Sequence, residues 1–285
     1  MIRPLDIASR LQARSFRLLP TRLISRSWGR ITRKPTSRHL IGPFARLFRV
    51  DTAEAEHAPG DYGCLNAFFT RRLKPGCRPI DSDPEAVVSP VDGSVSARGR
   101  VDQDRMLQIK GIEYTLFGLL RDGPMAKRFQ DGSYATLYLS PQDYHRVHAP
   151  VDMTVTGLGY MPGSLLPVNP PSVRWIDQLY TQNERLMVYA DTAVGKLAVV
   201  LVGAHCVGSI SLAFHDMVTN RPGEGPRRIE LDRPVELAKG AELGVFEMGS
   251  TTVLLFEPGA VDFDLPEPGL PVRLGQRIAG RCDGR

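Results

Sequence analysis

Ser250, His145, His148 and Asp92 are the residues of this chain whose types and settings could carry nucleophilic chemistry. Ser250 lies in Met248-Gly249-Ser250-Thr251, between the apolar runs Leu243, Val245, Phe246 and Val253, Leu254, Leu255, Phe256. Both runs have strand composition, and taken alone the Gly-Ser pair between them reads as a hairpin turn with a hydroxyl beside its own peptide bond. Two distant segments change that reading. They are Ser89-Pro90-Val91-Asp92-Gly93 and Asp143-Tyr144-His145-Arg146-Val147-His148-Ala149-Pro150. Together the three supply an aspartate, histidines and a serine in that chain order. A serine hydroxyl is a weak nucleophile until a base takes its proton, and the base must be oriented. His-x-x-His can also chelate zinc, but no Glu or Cys partner stands at a familiar spacing, and no metal is expected.

The elements that must hold these residues are strands. Val87-Val88 lead into the Asp92 segment, where Asp-Gly is itself a turn signal. Ser94 to Val101, Met106 to Ile109, Tyr134 to Ser140, Thr154 to Tyr160, Leu186 to Ala190, Lys196 to Val202, Ile229 to Glu236 and Gly240 to Phe246 all read as strands. Those near Leu197 and Val253 are expected to be central. Tyr114 to Arg121 reads as a helix, and Pro162 to Asp177 as a loop long enough to line a substrate pocket. Pro141 and Pro150 favour a loop for the histidine segment, in which both imidazoles could face one pocket. His205 and His215 lie in or near apolar strands and read as structural.

Composition agrees with a turn-rich β protein: 42% hydrophobic residues, 27 glycines and 23 prolines in 285 residues. The expected fold class is α+β, with a β-rich catalytic core (51–285) and a basic helical N-terminal region (1–50). The four cysteines have no CxxC spacing, which points to a reducing compartment. Residues 1–50 hold twelve Arg/Lys against Asp6 alone, a local charge of +11 in a chain of net +5, so the remainder carries −6. On a helical wheel of about 100° per residue, residues 4–19 gather Leu5, Ile7, Ala8, Leu11, Phe16, Leu18 and Leu19 on one half, and Arg3, Arg10, Arg14 and Arg17 on the other. That is the pattern of an interfacial helix. Thr21 to Lys34 and Leu40 to Val50 continue as short basic helices. No signal peptide and no transmembrane helix are expected.

The Pro-x-Asp-Gly segment, the Tyr-His-Arg-x-His-x-Pro segment and the Gly-Ser-Thr segment, in this order, resemble the phosphatidylserine decarboxylase family, the pyruvoyl enzymes that make phosphatidylethanolamine. Val202-Gly203-Ala204 with Val207-Gly208-Ser209-Ile210, and Asn66-Ala67-Phe68-Phe69-Thr70-Arg71 with Arg78-Pro79-Ile80-Asp81, extend the likeness over nearly the whole chain. One departure is Met248, where the family usually has Leu, a residue of similar volume. The resemblance implies that Ser250 attacks the Gly249 carbonyl and that β-elimination then splits the chain. A large chain (1–249) and a small chain (250–285) result, the latter capped by a pyruvoyl group that forms a Schiff base with the substrate amine. It assigns His148 as the base for Ser250, Asp92 as its orienting partner, and His145 as the acid that protonates the carbanion after carbon dioxide leaves.

It further implies a covalent pyruvoyl cofactor without metal, phosphatidylserine as substrate, and an α/β heterodimer that pairs into a dimer of heterodimers. The protein would sit peripherally on an anionic membrane, on its cytoplasmic face, with no nucleic acid as partner. Two other readings use the same residues. One is an intact Asp-His-Ser hydrolase of lipid esters, against which the missing G-x-S-x-G elbow counts. The other is a non-catalytic membrane-binding module built on residues 1–50.

Overall fold

The computed structural model describes residues 15–16, 19–109, 112–205, 209–247 and 250–282. Residues 4–14 and 17–18 of the expected interfacial helix over 4–19, and Gly249 of the Gly-Ser pair, lie outside them. In chain order the helices are α1 (Thr21–Thr32), α2 (Ile41–Phe48), α3 (Leu65–Phe69), α4 (Leu116–Leu120), α5 (Gly123–Arg128), α6 (Pro170–Trp175) and α7 (Leu179–Gln182). The strands are β1 (Ala86–Val88), β2 (Gly93–Arg100), β3 (Arg105–Ile109), β4 (Ile112–Thr115), β5 (Ser133–Leu139), β6 (Arg146–His148), β7 (Met153–Met161) and β8 (Arg185–Thr192). They continue as β9 (Gly195–Gly203), β10 (Ile210–Leu212), β11 (Arg227–Leu237), β12 (Glu242–Phe246), β13 (Ser250–Phe256), β14 (Val261–Phe263), β15 (Pro271–Val272) and β16 (Arg277–Arg281). The architecture is α+β and strand-rich, as the composition predicts.

An eight-stranded sheet runs β11-β7-β8-β9-β13-β5-β2-β15, with antiparallel neighbours throughout. Its middle strands are β9 and β13, whose residues are apolar on both faces. Every residue of β13 is buried, because both faces of the sheet are covered. One face packs under β10-β12-β6 and β1-β16-β14, burying Leu137, Leu139, Leu201, Leu254 and Phe256 with Val147, Ile210, Leu243 and Phe246. The opposite face buries Val200, Val202, Val253 and Leu255 against α4, α6 and α7. Each such side chain contributes about 1.5–3 kcal/mol of burial free energy. A third cluster joins Ile41 and Val50 to Tyr62, Leu65 and Phe68 in the N-terminal part.

Four local expectations are corrected. The histidine segment is not a loop: Arg146–His148 form β6, antiparallel to β12, because Val147 has an apolar layer to enter. Strands β12 and β13, on either side of the Gly-Ser pair, do not form a hairpin, since they belong to different sheets. Within 162–177, Asn169 caps α6 through its side chain, accepting from Ser172 N at 3.1 Å. Tyr114 lies in β4, and the helix begins at Leu116 behind a Thr115 cap.

Candidate functional site

Ser250 opens β13 and pairs with Leu139 on one side and Gly203 on the other. Strand alternation puts its side chain on the same face as Thr252, Leu254 and Phe256, the face that packs under β6 and β12. Its Oγ is buried and has no hydrogen-bond partner among the described residues. Beside it, a Cβ on Gly203 would come within 2.9 Å of Leu165 Cδ2 and 3.3 Å of Glu184 O, so a larger residue in the neighbouring strand would require Leu165 to shift.

β6 and the residue just before it carry the histidines. The backbone carbonyl of His145 accepts from Phe246 N at 2.9 Å, which ties the segment to the end of β12. His145 alternates with Val147, which enters the layer over the large sheet, whereas Arg146 and His148 turn to the other side. The two imidazoles therefore occupy different surroundings rather than one pocket. His145 is fully buried, with its ring 4.0 Å from that of Phe69. Its Nδ1 donates to Asp143 O at 2.9 Å, leaving a basic Nε2 that is buried and without a partner among the described residues. Burial pushes its pKa down to about 3, with the Asp143 carbonyl opposing and nearby Arg71 adding to the fall. It is neutral near pH 7.

His148 is half-buried. Its Nδ1 donates to Gly240 O at 2.7 Å, and its Nε2 accepts from the Tyr144 hydroxyl at 3.1 Å. Burial lowers its pKa as well, while the Gly240 carbonyl and the charges of Glu242 and Asp92 act the other way. The same carbonyl-bound Nδ1 thus fixes the tautomer of both rings and turns both Nε2 atoms into acceptors.

Asp92 lies close enough to His148 for its charge to act on the ring, but its hydrogen bonds go elsewhere. Arg78 grips it with Nε at 2.8 Å from Oδ1 and Nη2 at 2.6 Å from Oδ2, and Leu274 N donates to Oδ1 at 2.9 Å. The other edge of Arg78 holds Glu54 through Nη1 at 3.1 Å and Nη2 at 2.6 Å. The two carboxylates raise the Arg78 pKa, Asp92 most, and Arg78 in turn lowers that of Glu54. This carboxylate–guanidinium–carboxylate row lines a cavity of about 270 Å³ together with Arg71, Asp143 and Tyr144. The Asp92-Gly93 pair is also more than a turn. A Cβ on Gly93 would lie 2.3 Å from Tyr138 O, so glycine lets β2 close on β5 directly after the aspartate.

The structure therefore brings His145 and Ser250 to one packed layer, with Asp92 and His148 at its margin. Sequence reasoning gave no role to Arg78 or Tyr144, although both stand in recognisable segments; their significance comes from partners fourteen and four residues away. His215 Nδ1 accepts from Met217 N at 3.0 Å, a local turn contact. Among the described residues no cluster of three or more His, Cys, Asp or Glu side chains is arranged to hold a metal ion.

Residues 65–280 match the sequence profile of the family described as phosphatidylserine decarboxylase. The chain is 45% identical to the phosphatidylserine decarboxylase proenzyme of Anaeromyxobacter sp. (strain K), over 95% of this chain and 98% of that protein. It is 49% identical to the proenzyme of Myxococcus xanthus (strain DK1622), over 92% and 95% of the two chains. With the proenzyme of Acidovorax ebreus (strain TPSY) it shares 46% identity over 85% and 87%.

Proposed function

Because the chain belongs to the phosphatidylserine decarboxylase family, we propose that it decarboxylates phosphatidylserine to phosphatidylethanolamine with a pyruvoyl group made from its own Ser250. The observation that carries this reading is the state of the Ser250 hydroxyl. It is buried at the start of the central strand, without a partner among the described residues, in the layer that also holds the unpartnered Nε2 of His145. A buried polar atom left unpaired ordinarily costs about 1–3 kcal/mol, so its presence calls for a use. Conversion of this serine to a pyruvoyl group removes that hydroxyl, which makes no described hydrogen bond.

The processing reaction balances on the chain and one water. Ser250 Oγ attacks the Gly249 carbonyl carbon, the C–N bond breaks, and the Gly249 acyl group passes from nitrogen to oxygen. Loss of the Ser250 Hα then expels the Gly249 carboxylate with the electrons of the C–O bond. Water replaces the nitrogen, which departs as ammonia. His148 is the base for the first attack, with Asp92 setting its charge environment and Arg78 holding Asp92. The tautomer supports this role, since the Nε2 of His148 carries the lone pair; to reach Ser250 the ring must leave the Tyr144 hydroxyl and swing from the side of β6 that it faces. His145 serves the later reaction as a proton carrier: its bare Nε2 takes the proton that the substrate ammonium gives up and delivers it to the carbon that has lost carbon dioxide. The pyruvoyl carbonyl would supply the electron sink for the charge left on that carbon.

A lipid substrate requires a surface that meets the bilayer. No helix among the described residues is long and apolar enough to cross a membrane. Leu23, Ile31 and Leu47 stand 61%, 46% and 75% exposed in a region rich in arginine, which supports attachment to an anionic membrane surface from the side of α1 and α2. The working unit is the heterodimer of 1–249 and 250–285, two of which associate.

The test is release of carbon dioxide from phosphatidylserine vesicles. The wild-type protein should release it, and Ser250→Ala should release none while staying a single chain. Equal release by both proteins would sink the reading. His148→Ala should block chain splitting, whereas His145→Ala should block decarboxylation; the reverse pattern would exchange their roles.

A further inference from the structure

Helix α1 reads from sequence as a basic amphipathic element whose arginines face lipid, but in the structure three arginines at α1 reach protein partners. Thr21, Ser25, Gly29 and Thr32 form the buried stripe. On its flank, Arg22 Nη2 lies 3.6 Å from Glu184 Oε1, and Arg26 Nε donates to Asn220 O at 3.0 Å and to its Oδ1 at 3.1 Å. Arg33, at the C-cap, donates to Ser209 Oγ at 3.2 Å and is paired with Glu247. Positions 22, 26 and 33 fall within about 40° of one another on the helix. Leu23, Arg30 and Ile31 are left facing outward.

The points these arginines reach are Glu247, the last described residue before Ser250 in the chain, and the residues behind the strand that pairs with Ser250. Glu247 lies two residues before Gly249, and its backbone N donates to Ser209 O at 2.9 Å. On the other side, Glu184 is a buried carboxylate that accepts from Tyr160 Oη at 2.5 Å and from Asn220 N at 3.0 Å. Its backbone carbonyl accepts from Gly203 N at 2.8 Å, and Gly203 is the strand partner of Ser250. One helix thus holds both flanks of the cleavage site, Glu247 through Arg33 and the Gly203 side through Arg22 and Arg26.

We propose that α1 is a brace for self-cleavage, with Arg33 as a positioning residue that holds the Glu247 flank where Ser250 can attack. This rests on the proposed processing reaction. Attack of Ser250 on the preceding carbonyl needs near-attack geometry, and a misplacement of about 1 Å costs on the order of a hundredfold in rate. An ion pair that is half exposed stabilises the fold little, so its loss should act on the rate of processing more than on folding. Arg33 does not touch the substrate-side histidine, and molecules already cleaved should not depend on it.

The experiment follows chain splitting after cell-free synthesis of the full chain without lipid. Arg33→Glu should split about tenfold more slowly than wild type, and Arg33→Glu with Glu247→Arg should recover most of that loss. Arg30→Glu, on the outward face, should split at the wild-type rate. Decarboxylation per cleaved molecule should be the same in Arg33→Glu and wild type. The brace is refuted if Arg33→Glu splits normally, if the double reversal is no faster than the single, or if Arg30→Glu is equally slow. Failure of the wild type itself to split would instead overturn the processing reaction.

Discussion

Two buried neutral histidines make the site sensitive to acid in a direction that can be worked out. Burial holds His145 down to about 3 and lowers His148 below the ordinary imidazole value. Above about pH 6.5 both are neutral folded or unfolded and contribute no pH dependence. Below it the unfolded chain takes up protons that the folded chain refuses, so stability falls as pH drops from about 6.5 towards 3, by up to about 1.4 kcal/mol per pH unit for His145. Urea unfolding of Ser250→Ala, kept as one chain, should lose stability between pH 7 and pH 5. Adding His145→Asn should reduce that loss by up to about 2 kcal/mol; an unchanged pH dependence would contradict the burial account. Arg78 gives the second residue-level expectation. Removing it leaves the Asp92 and Glu54 carboxylates facing one another without their shared cation. Arg78→Ala should cost about 3–5 kcal/mol in chemical denaturation, while Arg105→Ala, in an exposed pair with Glu113, should cost less than about 1 kcal/mol. Residue types were legible in the sequence; their pairing was not. The pairing of Asp92 with His148 is implied by the family resemblance alone. In the structure the hydrogen bonds of Asp92 go to Arg78 and those of His148 to Tyr144 and Gly240, set by tertiary contact that no spacing encodes.

At the scale of elements, strand composition was informative and loop identity was not. The β-branched and apolar runs of β5, β8, β9 and β13 announce strands, and placing β9 and β13 at the sheet centre follows from runs apolar on both faces. The histidine segment was misread because its prolines flank it rather than interrupt it: Pro141 precedes β6 by five positions and Pro150 follows it by two, leaving Arg146–His148 free to pair with β12. The Gly-Ser pair was misread because a hairpin and a crossover between sheets have the same local sequence, and only the partners of β12 and β13 separate them. Gly93 offers an element-scale test. With a Cβ position 2.3 Å from Tyr138 O, Gly93→Ala must push β2 off β5 and should cost about 1–3 kcal/mol. Gly225→Ala, with open space around it, should stay within about 0.5 kcal/mol of wild type. Equal effects of the two in thermal unfolding would mean that the close strand approach at Asp92 is not required.

For the whole molecule, the position of β13 has a consequence for the processed protein. It lies between β9 and β5 with every residue buried, so a chain beginning at Ser250 remains held by two ladders of strand pairing after the bond before it is cut. The two pieces should copurify under native conditions and separate only in denaturant. The outward face of α1 and α2 is the other feature at this scale. Leu23→Glu with Leu47→Glu should weaken sedimentation with phosphatidylserine-containing vesicles several-fold without changing chain splitting, and full retention would place the membrane contact elsewhere. The basic charge of residues 1–50 was plain in the sequence, but its division between protein-facing and outward arginines depends on which stripe of α1 is buried. The most direct measurement of the central claim is the intact mass of the purified protein under denaturing conditions. The account predicts two chains divided between Gly249 and Ser250, with the 250–285 piece lighter than its sequence by one ammonia. A single full-length chain from active protein, or a small chain that keeps an N-terminal serine, would contradict it.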